Sequence, residues 1–419
     1  MIFRDPVHGD IYLNHEEIQV LDTAVMQRLR RIKQLGMAYL VYPGCMHTRF
    51  EHCLGTLAMA QRILDALGRN GAVIAPEEIR LVRMAALVHD VSHIPFGHTF
   101  EDERPIFPRH DSKGRLVPFL QTGELGELLA KLGLLEDVLA ILLRETTHFA
   151  PWLGEVVSST LDADLLDYLR RDAYYSGLSQ TYDQRIMDHF IVCQGHLAIN
   201  MEKHGMDRPD IRTEILHLLR MRYVLTERLY YHHTKVVAGA MLSKALEMAE
   251  VPVEDLYHLG DWQLFDYLKQ RGGARRMPGV VRLIERLTRR DLLKRAYVIS
   301  RATAAPVQEQ LIGQYAAPTG SRRTTEREIA QAVGLEEDEV IIYCPPRTLL
   351  QETAVLVNSA AGLRPLNQRG FVESEEISLL ERQYENLWRF YVFAPAEHRH
   401  RVHKICESLF SLPSEYHFR

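Results

Sequence analysis

The chain has 419 residues, 46% hydrophobic and 25% charged, a composition that is ordinary for a soluble globular protein. Fifty lysines and arginines against 55 aspartates and glutamates give a net charge of −5, which does not indicate binding to nucleic acid or membranes. The five cysteines lack C-x-x-C spacing, and the sequence shows no signal peptide and no membrane-spanning apolar stretch. We therefore expect a cytoplasmic protein with reduced thiols.

The hydrophobic pattern predicts a chain that is mostly helical. Residues 1–13 are expected to form an extended arm, because Pro6 and Gly9 interrupt any helix. Apolar residues at spacings of three and four then predict helices at residues 16–35, 50–68, 76–90, 123–145, 151–175, 184–193, 211–249, 254–270 and 276–296. Residues 101–119 are rich in proline, glycine and charge, which predicts a loop and a candidate lid.

The pattern changes after residue 304. Residues 314–327 hold Pro318, Thr319 and Gly320 ahead of basic residues, which predicts a mobile connector. Residues 339–344 and 387–393 are apolar runs typical of strands. We therefore predict a mostly α fold, in which a large helical domain of residues 1–303 carries a small C-terminal α+β lobe of residues 304–419.

Histidines and aspartates in the helical part form a candidate metal-ligand set, which consists of His52, His89, Asp90 and Asp164. All four lie in segments whose other faces are apolar, and burying them without a metal or an ion pair would be costly. A set of imidazole nitrogens and carboxylate oxygens without thiolate suits a divalent ion that acts on phosphate oxygens, namely Mn, Fe, Mg, Ni or Zn. The pattern therefore predicts a metal-dependent phosphohydrolase.

Further polar residues are three or four positions apart and so share a helix face in the predicted helices. These groups are Arg49 with His52, His89 with His93, Asp164 with Tyr168 and Asp172, Arg222 with Thr226 and Tyr230, and Gln27 with Arg30 and Gln34. Any one histidine or tyrosine is more often a core or surface residue, so only the occurrence of all these groups in one sequence indicates a site.

The motifs and their order resemble the HD-domain superfamily, and more narrowly the deoxynucleoside triphosphate (dNTP) triphosphohydrolases of the vertebrate sterile-alpha-motif and HD-domain type. The matching motifs are residues 5–9, 27–30, 33–36, 42–44, 49–55, 87–98, 162–172 and 222–232. The strand-like runs near 340 and 390 are also similar, so the resemblance covers nearly the whole chain, without a sterile-alpha-motif domain. It implies that residues 1–303 are an HD-type phosphohydrolase domain, which hydrolyses dNTPs to deoxynucleoside and inorganic triphosphate.

The resemblance also implies roles for residues in the predicted active site. The four candidate ligands hold one metal, and a further Mg²⁺ that accompanies the nucleotide is compatible. His98, and His110 as a pair with Asp111 in the loop, move protons. Arg49 and His93 contact the triphosphate, which has most to gain from preorganised charge.

A second group of residues resembles the sugar pocket of the family. Gln34 and Asp172 resemble residues that bind the 3′-hydroxyl, while Leu35 and Tyr230 resemble the pair that crowds the 2′ carbon. A ribose hydroxyl there would be rejected sterically and left without a hydrogen-bond partner. The substrate-binding residues with matching spacing are Tyr168 and Arg222.

One position departs from the vertebrate enzymes. Leu165 stands directly after the candidate ligand Asp164, where the vertebrate enzymes carry a lysine. The departure removes a cation for the triphosphate, and Arg222 or a nucleotide-bound metal are candidates to compensate for it.

A third set of residues resembles a regulatory nucleotide pocket at a subunit interface, and it consists of Asp22, Gln27, Arg30, Arg290 and Lys294. An aspartate beside glutamine and arginine suits a guanine edge. We therefore expect a homo-oligomer, a dimer or a tetramer, with GTP or a dNTP as effector. The alternative is an ordinary surface ion-pair patch.

Two other functions remain open from the sequence. The first is another HD phosphohydrolase, which acts on nucleotide phosphomonoesters or on phosphodiesters. The second is a nucleotide- or nucleic-acid-binding regulator with a vestigial site. Product analysis and a hydrolysis assay with Mn or Mg distinguish them.

Overall fold

A computed structural model describes the chain except residues 146–148, 301–302, 318–319, 348–349, 369–372 and 419, and the side chains of residues 373–374. The chain begins with an antiparallel hairpin of β1 (Ile2–Asp5) and β2 (Gly9–Tyr12). Gly9 has a φ of +78°, which supplies the left-handed residue at the end of the turn. The extended arm expected for residues 1–13 is confirmed.

The first half of the chain is then helical. Its helices are α1 (His15–Leu21), α2 (Ala24–Arg28), α3 (Arg49–Arg69), α4 (Pro76–Val88), α5 (Lys113–Leu120), α6 (Gly123–Lys131), α7 (Leu135–Leu143), α8 (Trp152–Val157) and α9 (Ala163–Ser176). α3 packs against α4 on one side and α9 on the other, and most of its residues are buried. The predictions at residues 50–68 and 76–90 are confirmed.

The second half mixes helices with strands. In chain order they are β3 (Phe190–Cys193), β4 (His196–Asn200), β5 (Glu202–Lys203), β6 (Met206–Asp207), α10 (Pro209–Leu225), α11 (His233–Met248), α12 (Asp261–Ala274), α13 (Pro278–Thr288), β7 (Lys294–Ser300), α14 (Ala305–Tyr315), α15 (Gly320–Val333), β8 (Ile341–Tyr343), β9 (Leu356–Ser359), β10 (Gly362–Pro365), α16 (Glu373–Glu385), β11 (Arg389–Ala394) and α17 (Arg399–Phe410). The fold class is mostly α, as predicted.

Four predicted single helices are broken. The helix predicted at residues 16–35 ends at Leu21, because Thr23 is extended and caps α2 while its hydroxyl donates to the carbonyl of Val20. The helix at 123–145 breaks at Gly133, which has a φ of +69°. The helix at 151–175 breaks before Asp162, the N-cap of α9. The helix at 211–249 breaks at a wider turn over residues 226–232.

Four other predictions were wrong in part. Residues 190–193 and 294–300 are strands, whereas the helical patterns at 184–193 and 276–296 had been extended across or into them. Residues 113–119 of the predicted loop belong to helix α5. The connector predicted at 314–327 is largely the helices α14 and α15, and Pro318 and Thr319 lie outside the described residues.

Two sheets join strands that lie before residue 303 to strands that lie after it. β11 lies between β7 and β8 in an antiparallel sheet, which confirms the strands predicted near residues 340 and 390. The other sheet has the order β10-β9-β4-β3, with β4 parallel to β9. Both sheets cross the boundary at residue 303, which remains a proposal. Among the described residues, no helix is long and apolar enough to cross a membrane.

Candidate metal centre and substrate cavity

The packing of α3, α4 and α9 brings the four candidate metal ligands together. His52 lies in the first turn of α3, His89 and Asp90 directly follow α4, and Asp164 lies in the first turn of α9. His52 Nε2 is 2.9 Å from Asp164 Oδ1 and 3.3 Å from His89 Nε2. His89 Nε2 is 3.5 Å from Asp90 Oδ1 and 3.8 Å from Asp164 Oδ1. The ligand atoms therefore surround one point.

The hydrogen bonds of the two histidines fit a cation at this point. His89 Nδ1 donates to the carbonyl oxygen of Ala86 at 2.8 Å, and His52 Nδ1 donates to Asp167 Oδ2 at 2.7 Å. Each ring in its neutral form therefore keeps a lone pair on Nε2, and these two atoms face each other. Burial acts to lower the pKa of His52, but Asp164 and Asp167 outweigh it and raise that pKa to about 10, so positive charge is favoured beside its Nε2. A divalent cation would supply that charge in place of the proton and would bind both Nε2 atoms. His52, His89 and Asp90 form a group that is able to hold a divalent metal. The fourth candidate, Asp164, adjoins this group through its contact with His52.

Asp167 orients the candidate ligand His52 through the ring nitrogen that faces away from the metal point, Nδ1. Besides His52, it accepts from His8 Nε2 at 2.6 Å and from Arg171 Nε at 2.9 Å. Burial acts to raise the pKa of Asp167, but Arg171 and the two histidines outweigh it and hold that pKa well below its usual range. Gly55 leaves room for this group, because a Cβ there would lie 1.9 Å from Asp167 Oδ1. Sequence reasoning missed this role, although Asp167 lies three residues after Asp164.

Beside the metal centre lies a cluster of three histidines, His93, His98 and His110. The rings of His93 and His110 stack with centroids 3.7 Å apart, and that of His98 is 5.2 Å from His110. Because ring lone pairs lie in the ring plane, the stacked pair is poorly arranged to share a second metal. α4 ends at Val88, so His93 reaches the cluster through a turn and not along a helix face shared with His89, as had been predicted.

The acid partner of His110 differs from the predicted one. His110 Nδ1 bonds to Glu101 Oε2 at 2.8 Å, whereas Asp111 faces Arg109 with 3.1 Å between Oδ1 and Nε. Asp111 still lines the cavity, but its carboxylate is held by that arginine. Burial acts to raise the pKa of Glu101, but His110 outweighs it, and the pKa is lowered to about 2. The residue pattern of this loop did not indicate that the buried side chain of Glu101 bonds to His110.

Arg49 joins the metal centre to the histidine cluster. Its Nη1 lies 2.5 Å from Asp90 Oδ2. Burial is the largest cause that lowers the pKa of His93, Arg49 is the next, and the value is held well below its usual range. This arrangement places a guanidinium and three imidazoles beside the candidate metal point, as a phosphate group requires.

The residues predicted to bind the sugar meet at one end of the cavity. Asp172 accepts from Tyr230 Oη at 2.7 Å and pairs with His47 Nε2 at 2.8 Å. Gln34 lines the cavity with a buried side-chain oxygen that has no hydrogen-bond partner among the described residues. Leu35 lines the same space. His47 was missed by sequence reasoning, which had no signal for a histidine in a loop 125 residues from its partner.

Arg222 lies between two aromatic rings. Its guanidinium is 5.2 Å from the ring centroids of both Tyr168 and Tyr230. Its Nε donates to Glu352 Oε1 at 3.0 Å, so a carboxylate from the C-terminal part of the chain neutralises its charge. One cavity of about 550 Å³ is lined by these residues, by the residues predicted to bind the sugar and by the candidate metal ligands. Leu165 also lines it.

The residues predicted to form a regulatory pocket fall in two places. Arg30 Nε donates to Gln27 Oε1 at 2.9 Å. Burial lowers the pKa of Arg30, and the charges of Glu51 and, to a smaller extent, Asp22 oppose this shift. Arg290, which has a φ of +56°, and Lys294 at the start of β7 belong to the segment after α13. The pocket that would join the two groups remains a proposal.

Comparison with known proteins identifies the family. The family model described as HD domain matches residues 49–172, and that described as HD associated region matches residues 206–417. The second match alone covers half of the chain, and the first contains all four candidate ligands. The chain belongs to the HD-domain proteins that carry an HD-associated region.

Three similar proteins show the range of the resemblance. An uncharacterized protein of Methanocaldococcus jannaschii is 27% identical over 411 residues, which cover 94% of this chain and 79% of that protein. The deoxynucleoside triphosphate triphosphohydrolase SAMHD1 of Bos taurus is 27% identical over 287 residues, 60% of this chain but only 48% of that enzyme. A hypothetical protein from Aquifex aeolicus has a similar fold, with a TM-score of 0.72 and 21% identity over 96% of this chain and 99% of that chain.

Proposed function

We propose that the protein hydrolyses dNTPs to deoxynucleoside and inorganic triphosphate, with one divalent metal on His52, His89, Asp90 and Asp164. The observation that carries the proposal is the single cavity that joins these ligands to a pocket with the residue types expected around a deoxyribose. The name of the SAMHD1 relatives, which match more than half of this chain, supports the same substrate class.

The residues around the cavity account for the chemistry. A bound divalent metal would lower the pKa of a coordinated water and polarise a phosphate oxygen. Arg49 and the imidazoles are placed to stabilise charge that develops on the phosphate. His110 Nδ1 is held by Glu101, and His98 Nδ1 lies 2.8 Å from Asp102 Oδ2. Each ring therefore keeps Nε2 as the atom that can hold a proton or donate it to the leaving oxygen.

The sugar end accounts for selection of deoxyribose. The bond from Tyr230 to Asp172 holds the phenol ring against the pocket, and Leu35 presents an apolar side chain to it. A 2′-hydroxyl would meet an aromatic edge and a leucine, neither of which can accept its hydrogen bond. The buried oxygen of Gln34 is available to a 3′-hydroxyl.

The test is a panel of dNTPs and NTPs with the protein loaded separately with Mn, Fe, Mg, Ni or Zn, and chromatography of the products. We expect deoxynucleoside and inorganic triphosphate to appear together in one step. His89→Ala should abolish the reaction and metal binding, whereas His217→Ala, at an exposed histidine, should not. Stepwise release of orthophosphate would support the other HD phosphohydrolases, and nucleotide binding without hydrolysis would support the regulator.

We further propose that the protein is a cytoplasmic homo-oligomer, a dimer or a tetramer, in which GTP or a dNTP acts as effector. The contact between Arg30 and Gln27, with Asp22 close by, supports a guanine-binding edge on the first helices. Since Arg290 and Lys294 lie in another segment, a pocket that uses both groups would be completed by assembly.

A further inference from the structure

The cations in the cavity differ in how much of their charge is available to a substrate. The described lysines and arginines of the lining are Arg49, Arg109, Arg144, Arg222, Lys235 and Arg347. Five of them form ion pairs with a carboxylate. The pairs are Arg49 with Asp90, Arg109 with Asp111, Arg222 with Glu352, Lys235 with Glu103 and Arg347 with Glu385. Among the residues that the structure describes, Arg144 alone of these six has no carboxylate within ion-pair distance.

Arg144 is held at the cavity by local structure. It ends α7 in the left-handed conformation, with a φ of 54°, and its side chain is exposed. Its Nη2 donates to Ser158 Oγ at 2.6 Å. The guanidinium is therefore anchored at one nitrogen, and its other N–H groups have no partner among the residues that the structure describes, so they can bind an anion.

The wall beside Arg144 is rich in hydroxyl groups. Ser158, Ser159 and Thr160 follow one another in the chain and all line the cavity. The backbone N–H of Ser159 donates to Asp162 Oδ2 at 2.6 Å, and Asp162 is the N-cap of α9. The metal ligand Asp164 lies two residues further on, so this wall continues directly into the metal centre.

We propose that Arg144, together with Ser158, Ser159 and Thr160, forms the subsite for the terminal phosphates of the substrate. This inference rests on the proposed function and specifies which side of the metal centre receives the triphosphate tail. The tail needs a cation whose charge is not already neutralised, and an arginine can bind phosphate oxygens through two N–H groups at once. The residue after Asp164 is the buried Leu165, which offers no charge.

The alternative cation for the tail is Arg222, and its surroundings favour a different role. It lies between the rings of Tyr168 and Tyr230, and Tyr230 also bonds to the proposed sugar ligand Asp172. Glu352 forms an ion pair with Arg222 and so neutralises its charge. Arg222 is therefore placed to stabilise the residues around the sugar, while Arg144 is bonded to Ser158 in the segment that leads into α9.

The experiment measures binding of inorganic tripolyphosphate and of a deoxynucleoside monophosphate to the metal-loaded protein by calorimetry, and the KM and kcat for dNTPs. Arg144→Asn removes the charge with a residue that tolerates a positive φ, and Arg144→Lys restores the charge. Lys113→Ala is the control, because Lys113 is exposed, pairs with Glu145 and lies outside the cavity lining.

We expect Arg144→Asn to weaken tripolyphosphate binding about tenfold or more, the loss typical of a charge-assisted hydrogen bond, with monophosphate binding unchanged. The KM for dNTPs should rise by a similar factor with a smaller change in kcat, and Arg144→Lys should recover part of the loss. Equal tripolyphosphate affinity in the unmutated protein and Arg144→Asn would overturn the subsite, as would a loss confined to Arg222→Ala.

The outcomes separate the subsite from the proposed function. If tripolyphosphate binding depends on Arg144 but no dNTP is hydrolysed with any metal, the subsite stands and the triphosphohydrolase activity is refuted. If dNTPs are hydrolysed to triphosphate at the same KM in Arg144→Asn, the activity stands and the subsite is refuted. Melting temperatures of all variants show whether each is folded.

Discussion

At the scale of single residues, Asp167 determines how His52 can act. Because Asp167 accepts from His52 Nδ1 at 2.7 Å, the proton is held there and Nε2 is left for a metal. Asp167→Asn weakens that bond, and we expect metal affinity to fall about 10–100-fold. Chelator competition and elemental analysis measure the change. Asp65→Asn, at an exposed residue of α3, is the control. Unchanged metal affinity in Asp167→Asn would show that the carboxylate has no part in orienting His52.

Tyr230 provides the residue-scale test of sugar selection. If its ring and Leu35 close the space around the 2′ carbon, the protein should hydrolyse dNTPs far faster than NTPs. Tyr230→Ala should reduce that discrimination by about 1–3 kcal/mol, because the ribose hydroxyl is admitted. Tyr230→Phe, which loses only the bond to Asp172, should keep most of it. The measurement is the ratio of kcat/KM for dGTP and GTP in each variant, and equal rates on the two nucleotides by the unmutated protein would refute the assignment.

At the scale of elements, a buried charge network connects the loop before α5 to α11 and α15. Arg104 in the loop pairs with Glu247 on α11, with 2.9 Å between Nη1 and Oε2, and with Glu326 on α15, with 2.9 Å between Nη2 and Oε1. Arg322 on α15 also pairs with Glu247, and Lys244 with Glu326. The loop that carries Glu101 and His110 is therefore anchored to the C-terminal part of the chain.

This network predicts how stability depends on pH. Burial acts to raise the pKa of Glu247, but Arg104 and Arg322 outweigh it and lower the pKa from 4.5 to about 2. Because the folded-state pKa is depressed, the ion pairs stabilise the fold above pH 4.5, and this contribution is lost as the pH falls toward 2. Glu247→Gln should lower the free energy of unfolding at pH 7 on the order of 3 kcal/mol, and the difference should shrink below pH 4.5.

Denaturant unfolding at pH 7, 5 and 3 measures this effect. Asp188→Asn is the matched control, because it breaks an exposed ion pair with Arg69 and should change the free energy of unfolding little at any of these pH values. A difference between Glu247→Gln and the unmutated protein that stays constant from pH 7 to pH 3 would contradict the assignment.

The elements also show what the sequence could predict. α3 and α4 were predicted almost to the residue, because their apolar spacing is regular. The structure adds a capping box of Thr48 and Glu51 at the start of α3, which the prediction did not use. The break after Leu21 was missed, because the bond from Thr23 to the carbonyl of Val20 depends on a side-chain conformation that the hydrophobic pattern does not report. The same limit applies to Gly133, whose positive φ ends one helix before the next begins.

At the scale of the whole molecule, the cavity is completed from distant parts of the chain. Tyr343, Glu352 and Tyr384 line it beside candidate ligands that precede them by 179 to 332 residues, and the pairing of β9 with β4 helps hold the C-terminal segment in place. Periodicity could place the candidate metal ligands, because they lie at the ends of three helices that pack together. It could not place Glu352 or Glu101, because their roles depend on how loops pack against the core.

The largest-scale prediction concerns assembly. Asp22, Gln27 and Arg30 lie on or just after the first helices, while Arg290 and Lys294 lie after α13. Because no contact among the described residues joins the two groups, we propose that a pocket that uses both spans subunits. Nucleotide bound there is coupled to assembly by linkage. We expect GTP or dGTP to raise the oligomer mass and to stimulate hydrolysis of other dNTPs. Arg30→Ala should lose both effects and retain the metal, since Arg30 contacts none of the candidate ligands in the described contacts.

Light scattering with and without the guanine nucleotide tests the effect on oligomer mass, and rate assays test the effect on dNTP hydrolysis. If the protein is already assembled, the effector should change the rate without changing the mass, and Arg30→Ala should abolish the rate effect alone. Arg185→Ala serves as control, because this exposed arginine pairs only locally with Asp183. If neither oligomer mass nor dATP hydrolysis responds to GTP or dGTP, the contact between Arg30 and Gln27 is an ordinary surface interaction, and any regulation must act elsewhere.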